Sequence, residues 1–187
     1  MTVAPADRDS ADMHALQQGN DAALNRLMSR WEIPLRNFLF RYTQNEHDAM
    51  ECALETFVRI HRHRQRFRLG QKFSTWMFQI ALNLARDRAR AAQRRPQFTT
   101  LDETPEPAGA QSPLGDVIES EKANAVRDAI ADLPADLREA ILLFEYEQKS
   151  HAEIADIVGT TPKGVETRLY RARGLLKKSL SRFFRTG

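Results

Sequence analysis

Apolar residues recur at three- and four-residue intervals along most of this chain, and no stretch shows the apolar–polar alternation of a strand. The pattern therefore predicts helices throughout. A first helix can start at Asp9 or Ser10 and stop at Gly19. The next run carries Leu24, Leu27, Met28, Trp31, Leu35, Phe38 and Leu39 on one stripe. Pro34 lies inside it and is expected to kink or split the helix, because proline lacks the N–H that the turn uses. Asn45, with Asp48 three residues on, predicts the start of a third helix with Ala49, Ala53, Phe57 and Ile60 inward. A fourth should begin near Ser74 and end by Arg95, since Pro96 disfavours helical geometry in the residue before it. Its stripe is Trp76, Ile80 and Leu84, which makes Trp76 a core residue.

After Arg95 the periodicity lapses through a segment holding Pro96, Pro105, Pro107 and Pro113, which predicts a linker over residues 97–115. Two domains are expected on either side, residues 9–96 and 116–185. Beyond the linker one helix places Val117, Val126, Ile130 and Leu133 inward, and another opens with Pro134 at its first turn. Ser150 and Glu153 form a capping box for a short third helix closed by Gly159. Thr161 and Pro162 then start a fourth. The fold class is all-α, two small helical bundles.

The last two helices have the spacing of a helix-turn-helix. Ala155 lets the helices touch, Gly159 permits a positive φ in the turn, and Val165 points back at the first helix. With Val165 inward, Leu169, Ala172 and Leu176 share its side, while Lys163, Thr167, Tyr170 and Arg171 face away as candidate readers of a major groove. Arg168 and Arg173 fall on the flanks, where phosphates are met. Glu166 sits at the edge of the reading face, where a carboxylate either accepts from a cytosine amine or repels the DNA backbone.

Charge sharpens this picture. The net charge is only +3 over 187 residues, but eleven lysines and arginines from Arg59 to Arg95 meet a single acid, Asp87. From Pro162 onward eight bases meet only Glu166, and the segment between the two blocks is acidic. Two cationic surfaces predict two contacts with a nucleic acid. Composition excludes other classes. One cysteine and scattered histidines offer no metal site, and no cofactor is implied. With no glycine-rich phosphate loop and no Ser–His or Cys–His pair in a plausible setting, no catalytic residue is expected and the protein is read as a non-enzyme. The apolar runs are too short for membrane insertion and the first residues lack a signal-peptide pattern, so a cytoplasmic location is expected.

These residues resemble the extracytoplasmic-function group of bacterial sigma factors. "ADLPADLREAILLFEYEQKSHAEIADIVGTTPKGVETRLYRARGLLKK" resembles the domain that reads the promoter −35 element. "HDAMECALETFVRIHRH" and "KFSTWMFQIALNLARDRARAAQRR" resemble the helices that bind core RNA polymerase and open the −10 element. The likeness covers Ala11 to Arg95 and Val117 to Phe184. It implies promoter-specific initiation, with core polymerase (the β′ coiled coil and the β flap) and promoter DNA as partners. Asp48, Glu51, Glu55 and Phe57 would lie on the helix that docks on the β′ coiled coil. Phe67, Lys72, Phe73, Ser74, Thr75, Asn83, Arg86 and Arg90 would hold the displaced −10 strand, by stacking and by cationic contact.

Three positions depart from the family pattern. Cys52 stands where the family usually has an acid and Leu54 where it has a glutamine, so the core-binding helix is expected to show less negative charge. Control by an anti-sigma factor, or by a Ser/Thr kinase acting at Thr56 or Thr43, would compensate. Glu166 replaces a frequent Lys or Arg and predicts an altered −35 preference at one base pair. Two alternatives remain open: a sigma mimic that sequesters an anti-sigma factor, and a DNA-binding regulator that works without polymerase.

Overall fold

A computed structural model describes residues 5–68, 70–94 and 114–181. Among the described residues every regular element is helical: α1 (Pro5–Gln17), α2 (Ala22–Thr43), α3 (Glu46–Arg62), α4 (Phe73–Arg94), α5 (Leu114–Ala131), α6 (Ala135–Glu145), α7 (His151–Val158) and α8 (Pro162–Leu180), with a 3-10 turn at Arg64–Arg66. Most of the expected linker lies outside the described residues, and α5 begins at Leu114, inside the span expected to be linker.

Pro34 does not split α2. The helix runs through it for 22 residues. A mid-helix proline costs about 3 kcal/mol or more, because its missing N–H leaves the carbonyl four residues back unpaired. Burial of Leu27, Leu35, Phe38 and Leu39 on the same helix outweighs that loss, since each fully buried large apolar side chain contributes about 1.5–3 kcal/mol. The start of α6 also differs in detail: Pro134 is its N-cap, in extended geometry, and Ala135 is the first helical residue.

Other boundaries follow local chemistry. The Asn45 side chain accepts the N–H of Asp48 at 2.9 Å and starts α3. Ser150 and Glu153 complete the capping box of α7, which ends at Gly159 with φ 76°. The Thr161 hydroxyl accepts the N–H of Gly164 and starts α8 with Pro162 in its first turn.

An aromatic cluster fills the centre of the amino-terminal half. Phe38 meets Phe78 edge-on at 5.0 Å, and Phe67 lies 5.4 Å from Trp76 and 6.4 Å from Phe73. Helix α1 is held on this bundle by charge as well as by Met13 and Leu16. Buried Asp9 accepts from Arg30 Nε at 2.9 Å and from the Trp31 indole at 3.0 Å, while Asp12 accepts from Arg26 at 2.7 Å and from Arg30 at 2.6 Å. In the other half, Val165, Leu169 and Ala172 of α8 are buried against α6 and α7.

The two halves are packed together. Helix α4 lies against α7 and α2 against α6, and the buried apolar residues form one cluster running through both. Sequence periodicity names inward faces without saying which helices share a core, so this packing had no signature along the chain.

Two stability predictions follow from these contacts. Asp9→Ala removes an acceptor from the Trp31 indole and from Arg30, and urea unfolding should show a loss of about 1–3 kcal/mol, the cost of stranding a buried donor. Asp9→Asn, which keeps an acceptor for Trp31, should lose less. Burial pushes the Glu153 carboxyl up, but hydrogen bonds from the Ser150 hydroxyl and backbone N–H, and from the Lys72 ammonium, outweigh it and bring the group to about 2. A depressed carboxyl stabilises the fold fully above its ordinary value of 4.5, and that contribution is lost as the pH falls towards 2. Thermal melts across that window should therefore fall more steeply with acid for the wild type than for Glu153→Gln; parallel curves would show that the carboxylate contributes nothing.

Candidate nucleic-acid interface

Helix α8 turns its apolar stripe inward and leaves its other side open. Tyr170 is 80% exposed, and Lys163, Glu166, Thr167 and Arg171 are exposed around it, the face that the wheel predicted. Lys163 donates to Glu166 at 2.8 Å, and this pair holds the Glu166 carboxyl below its usual range. The carboxylate and the ammonium thus partly cancel at the start of the outward face. Arg168 turns back towards α6, with Nε 3.6 Å from Asp136. Arg173 donates to Glu145 at 2.9 Å and stacks over Phe144 at 5.1 Å. Both arginines are already engaged at the flanks of the helix. A groove of about 600 Å³ runs between His151 and the α8 residues Tyr170, Arg171 and Lys177.

The second candidate surface differs from expectation. Phe67 and Phe73 are buried, 3% and 2% exposed, with their rings against Trp76 and each other, so neither ring is free to stack on a base. Ser74 and Thr75 are buried too. An aromatic after a basic loop looked like a stacking platform; the bundle uses both as core because α1, α2 and α4 leave an apolar centre to fill. Thr75 Oγ1 nevertheless has no hydrogen-bond partner, which leaves one unsatisfied polar atom beneath this surface. The polar positions that remain outward are Lys72, Asn83 and Arg90, with Arg86 half-buried beside them. Asn83, Arg86 and Arg90 share a face of α4, and Arg86 donates to Asn83 at 3.3 Å.

Helix α3 carries the third surface. Phe57 is buried and holds the helix to the bundle instead of facing outward. Cys52 is also buried, so it cannot weaken the charge of an exposed face, and burial pushes its thiol up. Thr56 is fully buried and donates to the Cys52 carbonyl at 2.6 Å, out of reach of a kinase in this fold. Thr43 is half-buried, its hydroxyl donating to the Leu39 carbonyl at 2.9 Å. Asp48 is drawn to Arg88 at 2.6 Å and Glu51 to the same guanidinium, while Glu55 pairs with Arg59 at 3.0 Å. What the face does present is an apolar line: Met50, Leu54 and Val58 are 53%, 48% and 47% exposed. Their i, i+4, i+8 spacing, opposite the inward stripe, was readable in the sequence as a second apolar face and was missed there.

The comparisons with known proteins agree with this arrangement. The family pattern for sigma-70 region 2 matches residues 27–95, and that for sigma-70 region 4 matches residues 123–176. The chain is 31% identical over 180 residues to the ECF RNA polymerase sigma-E factor of Haemophilus influenzae, covering 92% of this chain and 95% of that one. It is 28% identical over 189 residues to the RNA polymerase sigma-H factor of Pseudomonas aeruginosa, covering 96% and 97%. Among solved structures it resembles CnrH in complex with the cytosolic domain of CnrY, with a TM-score of 0.72 at 24% identity over 94% of this chain and 98% of that one. It also resembles the sigma factor RpoE of Bartonella quintana in complex with the anti-sigma factor NepR, with a TM-score of 0.63 at 22% identity over 84% and 96%. With both regions matched and the likeness running nearly end to end, this chain belongs to the extracytoplasmic-function sigma factors of the sigma-70 family, the proteins that direct RNA polymerase to initiate transcription at specific promoters.

Proposed function

We propose that the two halves, residues 9–96 and 116–185, act as the two promoter-contacting domains, and that α3 binds core polymerase. The observation that carries the promoter assignment is the outward face of α8, where Thr167, Tyr170 and Arg171 stand clear of a buried Val165–Leu169–Ala172 stripe on a helix-turn-helix. That geometry suits a −35 major groove, with side chains reaching base edges and the flanks meeting phosphates. Lys72, Asn83, Arg86 and Arg90 then serve the displaced −10 strand through charge and hydrogen bonds, with no open aromatic platform among them.

Core polymerase is taken by the Met50–Leu54–Val58 line with Glu51 and Glu55 beside it, an apolar strip edged by carboxylates that fits a helical partner with basic flanks. This places Leu54 in the contact itself, so its departure from the family's usual glutamine trades polarity for buried area. Control by an anti-sigma factor is favoured over phosphorylation at Thr56. One solved structure of similar fold is a sigma factor in complex with an anti-sigma factor, and Thr56 is buried.

Run-off transcription with purified core polymerase on a promoter pool tests the whole assignment: promoter-specific transcripts should depend on this chain. Leu54→Asp should weaken core binding by about ten-fold or more, since a buried leucine contributes about 1.5–3 kcal/mol and 1.4 kcal/mol is ten-fold. Unchanged affinity by fluorescence anisotropy would remove Leu54 from the contact. Glu166→Lys should shift the preferred base at one −35 position, by about 1–3 kcal/mol of discrimination, in a binding-site selection. An unchanged consensus would show that Glu166 reads nothing.

A further inference from the structure

The cationic block from Arg59 to Arg95 does not all face one way. Asn83, Arg86 and Arg90 share one side of α4, while Arg88 lies on the other side and reaches across to α3. Its Nε donates to Asp48 at 2.6 Å and its Nη2 meets Glu51, so one guanidinium answers two carboxylates a turn apart. The other oxygen of Glu51 stands 3.1 Å from His47 Nε2. Arg59 takes Glu55 at 3.0 Å. Of the acids on α3, Glu46 in the first turn is then the one without an ion pair among the described residues.

These carboxylates edge the Met50–Leu54–Val58 line, and the side chains of Arg88, Asp48 and Glu51 are 37%, 34% and 45% exposed. The pairs therefore sit at the rim of the apolar line and not beneath it. Pairs this exposed add only about 0–1 kcal/mol of stability. Their larger effect is on the field that the face presents. A basic partner meets Asp48 and Glu51 with much of their charge already cancelled, and it gains their full attraction only by displacing Arg88. The apolar line needs no such exchange.

We propose that Arg88 is an electrostatic cap on the polymerase-docking face: by holding Asp48 and Glu51 it leaves the Met50–Leu54–Val58 line as the source of core affinity. Core affinity is then lower than bare carboxylates would give, and nearly independent of salt. The partner that fits is a helix with an apolar stripe, recognised by area and not by charge. Arg88 is a positioning residue, since it acts on the partner through Asp48 and Glu51. This inference rests on the reading of α3 as the core-binding helix made above.

The test titrates the labelled full chain with purified core polymerase across a potassium chloride series, read by fluorescence anisotropy. Wild-type affinity should change little along the series, because salt screens charge and not apolar burial. Arg88→Gln keeps most of the stem and drops the charge. It should bind about two- to five-fold more tightly at low salt, the range of an exposed pair, and lose that gain as salt rises. Arg88→Lys keeps the cation and should follow the wild type. Arg88→Gln/Asp48→Asn restores the net charge and should return the salt dependence to the wild-type slope, a rescue that a residue merely bracing α3 against α4 would not show. Circular dichroism melts check that each variant is folded, and the wild-type slope depends on no variant. A steep wild-type slope, or weaker low-salt binding by folded Arg88→Gln, overturns the cap. If Leu54→Asp weakens core binding while the Arg88 variants leave the salt dependence unchanged, the cap fails alone and the α3 reading stands. If Leu54→Asp binds as tightly as the wild type, the α3 reading fails and takes the cap with it.

Discussion

A carboxylate taken out of water costs several kcal/mol unless charged partners replace its hydration, and Glu139 is where this chain meets that constraint. Its oxygens are satisfied by Arg86 from α4 and Tyr42 from α2, both in the other half of the molecule. The consequences spread outward from that contact. Burial and then the nearby Glu139 charge push the Tyr42 phenol up to about 12, so it stays a donor across the physiological range. Arg138 beside Glu139 donates to the Tyr42 and Leu133 carbonyls and ties the α5–α6 corner to the end of α2. A pair of this kind adds little net stability compared with an apolar contact of the same volume, but it is specific in geometry.

Helix α4 has two unlike sides. One side is apolar and packs on the aromatic cluster; the other carries Asn83, Arg86 and Arg90. Lys149 shows how closely the other half is fitted to it. The ammonium donates to Ser74 and lies 5.3 Å from the Phe78 ring and 5.8 Å from the Trp31 ring. Burial lowers its pKa, outweighing the nearby carboxylates of Glu153, Glu147 and Asp9. Trp31 and Phe78 thus form part of the wall against which the other half packs.

The helices were legible because amphipathic periodicity and capping chemistry are local. Ser150, Glu153, Gly159, Thr161 and Pro162 act within one or two turns of themselves, and each is found doing what its type and spacing imply. The outward face of α8 was equally legible, since naming Val165 as inward orients every other residue on the helix. The residues proposed for the −10 strand and for core polymerase were less legible. Phe67, Phe73, Phe57 and Cys52 carry side chains suited to either a surface or a core, and only the neighbouring helices decide which. The Met50–Leu54–Val58 line carried a readable period, but it shares its helix with the stronger inward stripe of Ala49, Ala53, Phe57 and Ile60.

The sequence by itself determined an all-helical chain, two cationic blocks, the helix-turn-helix and its outward face, and through these the family. Those properties depend on contacts between residues a few positions apart or on composition, which are written along the chain. Only the tertiary structure decided that Pro34 lies within a continuous helix, that the aromatic residues near α4 are interior, and that Glu139 meets Arg86 from 53 residues away. Each of these outcomes depends on which surfaces compete for the same buried space. That competition is settled by packing and by the cost of leaving charge unpaired, and neither has a period that a single strand of sequence can show.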